Sequence, residues 1–376
     1  MRLRDLLREL PIPEQDEARL RSFAVVRAAF AERKPTPQRR HYLKPALALA
    51  VIAAVVAAAA SPPGRAVLGS LRKTVAGEKR AAPELFALPS GGRLLVNSPD
   101  GPWIVQTNGS RRRLGGYREA AWSPHGLYVV AARPDEVVAV SPKGDVHWTL
   151  PRPRVRFARW GGSRVDTRIA YLSGSRLHMV AGDGTGDVDL CGEPAAAPVA
   201  PAWRPGLPHV LAFATTAGRI YVLDADRCSL TWRSAPFAHP RTLRWSSDGR
   251  RLLLVTRDKL VAFGARARPL DVRFFRGVTD AAFRPRSHEL ALVRGGEVLA
   301  LDADRLRAPP RRLFRVTGRI GQIAWSPNGR WLLVTWPAAD QFLFVRSPRR
   351  IRAVSGITRQ FGGGAFPSVG GWCCPP

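Results

Sequence analysis

A short phrase recurs along this chain at an almost constant interval. Its best copy is Ala324-Trp325-Ser326-Pro327-Asn328-Gly329-Arg330, followed at once by Trp331-Leu332-Leu333-Val334. Pro presets φ, and Asn and Gly accept positive φ, so the chain can reverse tightly between two apolar strands. Relatives stand at Ala121-Trp122-Ser123-Pro124-His125-Gly126, at Ala202-Trp203-Arg204-Pro205-Gly206 and at Arg244-Trp245-Ser246-Ser247-Asp248-Gly249-Arg250. Phe replaces Trp in Ala282-Phe283-Arg284-Pro285, and Arg159-Trp160-Gly161-Gly162-Ser163 is a weaker copy. The aromatic positions 122, 160, 203, 245, 283 and 325 are separated by 38 to 43 residues. A period of ~40–45 residues with strand-turn-strand content is that of a β-propeller blade.

Other elements repeat in phase. Tyr221-Val222-Leu223-Asp224-Ala225-Asp226-Arg227 matches Val298-Leu299-Ala300-Leu301-Asp302-Ala303-Asp304-Arg305, a strand ending in an acidic turn. Residues 106–111 and 181–186 fill the same hairpin slot in other units. Before Trp122 the chain has strands at 93–97, 102–107 and 111–114 with no preceding motif; after Trp325 it ends in a degenerate copy around Trp372. Orphan strands at one end and an orphan motif at the other predict a shared blade that closes the ring and removes exposed edges. The fold class is therefore all-β, a propeller over 87–376 with seven blades favoured. Six is the alternative if the Trp160 or the Trp372 unit is not a blade.

The repeated W-S-P-[DN]-G-x-x-[LI] phrase, preceded by turns such as Asp183-Gly184-Thr185-Gly186 and Asn108-Gly109-Ser110, resembles the TolB-like, WD-repeat-like propellers over roughly residues 90–376. The resemblance implies a binding scaffold and leaves the partner unnamed. His125 and Asn328 replace the acidic turn residue in two copies. Family members are often periplasmic and cleaved from a signal, whereas this chain is read as keeping an anchor.

The anchor is expected in the first part of the chain. Residues 1–44 form a polar, amphipathic tail of two short helices, with Leu3, Leu6, Leu7 and Leu10 on one and Leu20, Phe23, Val26 and Phe30 on the other. Its role is either a docking segment or a weakly structured juxtamembrane tail. From Pro45 to Gly64 there is no charged residue, and twenty residues at ~1.5 Å each reach ~30 Å, the thickness of a bilayer core. A single membrane-spanning helix over 45–64 is the reading adopted. A cleaved signal peptide would need an improbably long leader, and a buried soluble helix would need a helical partner. The excess of basic residues before the run places the N-terminus in the cytoplasm and the propeller outside the plasma membrane. Residues 65–86 are a basic linker suited to anionic headgroups.

Net charge is +30, which raises nucleic acid or an anionic surface as partners. Only six of the 59 basic residues are lysine, an arginine bias that, with abundant Ala and Gly, fits GC-rich coding, and the charge is dispersed through turns. Nucleic acid is therefore a minor alternative.

Chemical motifs are scarce. The seven histidines (41, 125, 147, 178, 209, 239 and 288) are scattered, and no nucleophile elbow, phosphate loop or dinucleotide fingerprint is present. Asp183, Asp187 and Asp189 hint at a calcium loop but lack its terminal bidentate Glu. Cys191 and Cys228, nearly one repeat apart, are disulfide candidates in an oxidising compartment. For the adjacent Cys373 and Cys374, a mutual bridge, separate partners and free thiols all stay open. No cofactor, metal or catalytic residue is assigned. The repeat aromatics Trp122, Trp160, Trp203, Trp245, Phe283, Trp325 and Trp372 are read as blade packing. The expected function is a membrane-anchored, non-enzymatic module for an unknown protein or envelope ligand, its oligomeric state open. The alternatives are a hydrolase or lyase at the channel mouth, marked by converging Asp, His or Arg, and a cationic binder marked by one contiguous arginine face.

Overall fold

The computed structural model describes residues 87–374 apart from 164, 191 and 193. The tail 1–44, the apolar run 45–64, the linker 65–86, Cys191 and residues 375–376 lie outside the described residues. Among the described residues no helix is long and apolar enough to cross a membrane.

Seven four-stranded antiparallel sheets account for the described residues. Blade 1 comprises β1 (Arg93–Ser98), β2 (Gly101–Val105) and β3 (Arg111–Arg113), with its first strand, β28 (Ser368–Cys373), arriving from the far end of the chain. Blade 2 is β4 (Glu119–Trp122) to β7 (Val146–Pro151), and blade 3 is β8 (Val155–Gly162) to β11 (Val188–Asp189). Blade 4 runs from β12 (Ala202–Trp203) to β15 (Ser229–Arg233), and blade 5 from β16 (Pro240–Trp245) to β19 (Pro269–Phe274). Blade 6 runs from β20 (Val278–Phe283) to β23 (Arg311–Arg315), and blade 7 from β24 (Ile323–Trp325) to β27 (Arg350–Ser355). A four-residue helix, α1 (Ile357–Gln360), links blade 7 to β28.

The first strands touch in succession around the ring, from β28 through β4, β8, β12, β16, β20 and β24 back to β28. They line the channel. The second strands are the dry layer: Val210–Ala214 and Leu252–Thr256 are buried at every position. Outermost strands such as β7 and β15 are largely exposed.

The packing explains why the blades need one another. Buried apolar side chains among the described residues fall into seven clusters, each shared by two neighbouring blades. Val210, Ala212 and Val222 of blade 4 pack on Leu252, Leu254 and Phe263 of blade 5, and Leu94, Val96 and Val105 of blade 1 on Leu333, Phe342 and Phe344 of blade 7. No sheet could bury both faces alone.

Ring closure follows the expected shared blade. β28 pairs antiparallel with β1 through Leu94↔Trp372 and Val96↔Val369, so strands from the two ends of the propeller complete one sheet. The weak Trp160 copy heads a full blade, which removes the six-blade alternative.

Candidate functional site

The repeated phrase builds the frame, and its chemistry is now visible. Ser246 and Ser326 are fully buried, and their hydroxyls accept from Arg251 N and Trp331 N at 2.9 and 3.0 Å while donating to Asp248 and Asn328 at 2.6 and 2.8 Å. The turn closes through Gly249 N to Ser246 O and Gly329 N to Ser326 O, with both glycines at φ of 67°. Asn328 thus replaces Asp with no loss of the acceptor. His125 has no such oxygen, and the Ser123 hydroxyl keeps only the bond from Tyr128 N at 3.0 Å.

The motif aromatics join blades. Trp203 donates its indole N–H to Arg159 O (3.0 Å), Trp245 to Ala202 O (3.0 Å), Trp325 to Ala282 O (3.4 Å) and Trp122 to Gly371 O (3.3 Å). In every case the acceptor is the residue just before the motif aromatic of the preceding blade. Phe283 keeps the position without a donor. Trp160 and Trp372 are buried with unpaired indole nitrogens; Trp160 stacks on Tyr128 and Trp372 meets the ring of Phe344 edge-on. Gly161 is required by this contact, since a Cβ there would stand 2.1 Å from Trp203.

Where Arg follows the aromatic, it reaches into the next blade. Arg204 donates to Gly249 O at 2.7 Å with its guanidinium 5.2 Å above the ring of Trp245. Arg284 does the same with Gly329 O at 2.9 Å and Trp325 at 5.5 Å. Arg93 of blade 1 repeats the arrangement with Gly126 O and Trp122, bridging to blade 2. Sequence reading overlooked these clamps, although the W-R-P and F-R-P variants marked two of them.

Polar groups of the first strands are likewise engaged. Three residues before the motif aromatic, the Glu119 carboxylate accepts from Phe157 N, Asp280 from Ile323 N at 2.9 Å, and the Gln322 amide oxygen from Val369 N at 2.7 Å. Asn97 exchanges two hydrogen bonds with Ala120. Glu119, Asp280 and Gln322 bolt β4 to β8, β20 to β24 and β24 to β28, and Asn97, on the second strand of blade 1, holds β4. Arg159 and Arg244 share this lining; burial pulls the Arg159 pKa down, with Glu119 opposing and Arg244 reinforcing. The converging groups that would mark an enzyme are thus present, but each carboxylate faces a backbone N–H.

The most elaborate side-chain cluster lies on the rim between blades 5 and 6. A cleft of about 910 Å³ is lined by Asp248, Arg286, His288, Glu289, Asp304 and Arg311, among others. His288 Nε2 is 3.0 Å from Asp248 Oδ2 and Nδ1 is 2.7 Å from Asp304 Oδ2, while Arg251 pairs with Asp304. Burial would lower the imidazole pKa, but the two carboxylates outweigh it and hold it above 6.5. Burial also works against Asp248 and Asp304; hydrogen bonds from Ser246, Arg250 N and His288 to the first, and from His288 and Arg251 to the second, depress both carboxyls. With both ring nitrogens facing carboxylates, His288 has neither nitrogen open to a substrate, and the ring rivets two turns together. The sequence held one clue: His209 occupies the same slot in blade 4, where Ala225 N bonds its carbonyl as Ala303 N bonds that of His288.

The calcium-like triplet disperses. Asp183 caps the Thr185 turn, Asp187 accepts from Tyr171 and Arg152 at 2.6 Å each, and Asp189 pairs with Arg176 at 2.6 Å. Among the described residues no group of three or more His, Cys, Asp or Glu could hold a metal ion. Cys373 and Cys374 are bonded to each other. Cys228 is disulfide-bonded, and Cys191 lies outside the described residues.

No family model matches the chain, and no curated protein matches it. Solved structures do. The C-terminal WD40 domain of Sif2 is similar at 14% identity over 71% of this chain and 83% of that one, with a TM-score of 0.53. The Myceliophteria thermophila Cps50 (Swd1) propeller domain is similar at 18% identity over 65% and 90%, with a TM-score of 0.55. A chain in the mitotic checkpoint complex is similar at 17% identity over 62% and 74%, with a TM-score of 0.50. At these identities the likeness concerns the fold: this is a seven-bladed β-propeller with WD40 neighbours.

Proposed function

We propose that the chain is an interaction scaffold, a WD40-type propeller with TolB-like motifs whose rim presents side chains to a protein partner and performs no chemistry of its own. One observation carries the reading. The polar groups that recur, in the turns and in the channel lining, are bonded to the backbone of the same or the next blade, which leaves the non-repeating side chains of the rim to make outside contacts. The similar chain in the mitotic checkpoint complex supports it by analogy, as part of a multiprotein assembly. Within this proposal the run 45–64 is a single plasma-membrane span, residues 1–44 are cytoplasmic, 65–86 form the linker and 87–376 lie outside. A Cys191–Cys228 bridge suits that compartment.

A photo-crosslinking side chain placed at Arg286 or Arg349 in intact cells should capture one discrete protein, whereas capture by neither site counts against a rim scaffold. A reporter active only outside the cytoplasm, fused after Pro376, should be active; activity of a cytoplasmic reporter there would reverse the topology.

A further inference from the structure

Blade 7 handles charge differently from the rest of the propeller. Between Ile323 and Ser355 it contains five arginines, Arg330, Arg346, Arg349, Arg350 and Arg352, and a single carboxylate, Asp340. All five arginines are exposed. Asp340 belongs to the turn between the second and third strands, at the opposite end of the blade, where it accepts from Thr358 N and Oγ1 at 2.8 and 2.7 Å. None of the five arginines makes an ion pair among the described residues.

They also gather in one place. Arg330 follows the turn between β24 and β25 (Leu332–Trp336), and Arg346, Arg349 and Arg350 surround the turn between β26 (Gln341–Ser347) and β27. Successive hairpins reverse the chain, so both turns emerge at the same end. The Arg350 guanidinium lies 6.0 Å above the ring of Trp331, which ties the second turn to the first and holds one cation in place. Arg352 stands on the same side of the edge strand as Arg350, roughly 7 Å further along it.

We propose that this end of blade 7 binds a short acidic segment of a protein partner. This rests on the scaffold reading above and names the chemistry of its partner. Uncompensated guanidiniums on adjoining turns match a run of a few carboxylates, which they can meet with paired hydrogen bonds. A nucleic-acid backbone fits less well. A track of phosphates leaving blade 7 along this rim meets blade 6, where Glu289, Asp302 and Asp304 face the neighbouring cleft. On the blade 6 side the uncompensated cationic surface therefore stops at the edge of blade 7.

The test uses the full-length chain in neutral detergent and a fluorescein-labelled octapeptide of alternating Glu and Asp, read by anisotropy at low and high salt. The parent should bind, with affinity falling steeply as salt rises. Replacing Arg330, Arg346, Arg349, Arg350 and Arg352 together by Ser should weaken binding about tenfold or more. The same five positions as Lys should retain most of it, which separates lost charge from a misfolded blade. Arg311, Arg312 and Arg315 replaced by Ser on blade 6 should leave it within about twofold. Equal binding by the five-Ser variant, or tighter binding of an eight-nucleotide oligo-dT than of the peptide, overturns the proposal. If the rim crosslinks still capture a protein while the peptide does not bind, the scaffold reading stands and this partner chemistry falls.

Discussion

Blades 6 and 7 share a frame and differ in how they balance charge. Both begin with an aromatic, a tight turn and a buried second strand, and Asp280 and Arg284 fasten one to the other. On blade 6 most arginines have carboxylate partners: Arg284 and Arg311 meet Glu289 at 3.0 and 2.9 Å, and Arg294 meets Glu297 at 3.4 Å. Blade 7 has the cations without the carboxylates. The frame is a packing problem with the same answer in each unit, while exposed charge is under no such constraint and can be specialised blade by blade.

The largest expected effect falls on the shared frame. Trp245→Ala removes a buried indole and its bond to Ala202, and should cost about 3–5 kcal/mol in denaturant unfolding. Trp325→Ala, at a more exposed ring, should cost less; equal values would mean that the frame is more uniform than its burial. Next comes the bolt between the two blades. Asp280→Ala leaves Ile323 N without its buried acceptor, and unfolding should reveal a loss of about 1–3 kcal/mol. Asp280→Asn, which keeps an oxygen at that site, should recover part of it.

The His288 rivet gives a smaller, pH-dependent effect. The imidazole pKa is raised in the folded state, so its stabilisation is complete below about pH 6.5 and is lost as pH rises through the elevated value. Asp248 and Asp304 have depressed pKa values, so their part is present above about pH 4 and is lost as pH falls. His288→Gln should therefore lower Tm by a few degrees at most near pH 6 and by less at pH 9. A larger loss at pH 9 would show that the ring is held for its shape. The smallest effect has the opposite sign. Arg346→Ser with Arg349→Ser removes like charges from blade 7 and should leave stability unchanged or raise it by about 0.5 kcal/mol, whereas Arg311→Ser should lower it by a similar amount. Matching losses in both would erase the contrast between the blades.

Much of the frame could be read directly because its signals are local. The reversal at Ser326–Gly329 needs a hydroxyl, a short acceptor side chain and a glycine within four residues, and every blade must bury its second strand, so turn and apolar run recur in register. Even the closing blade was legible, through Trp372 and the strands before Trp122. The rim cluster was not. His288, Asp248 and Asp304 come from three turns in two blades, and each alone looks like an ordinary surface residue. The clamps of Arg204 and Arg284 were missed for a related reason: an arginine after an aromatic reads as solvated until the next blade brings a ring and a carbonyl beneath it.

By itself, the amino-acid sequence determined the repeat, its period, the all-β class and the way the two ends complete one sheet. These follow from backbone conformation and apolar periodicity, which act over a few residues at a time. Only the tertiary structure decided that the Trp160 unit is a blade, that first-strand carboxylates serve as bolts, and that five arginines of blade 7 share one end without a counter-charge. Those properties depend on distance between residues far apart in the chain, and distance is fixed only when neighbouring blades must bury their faces against each other.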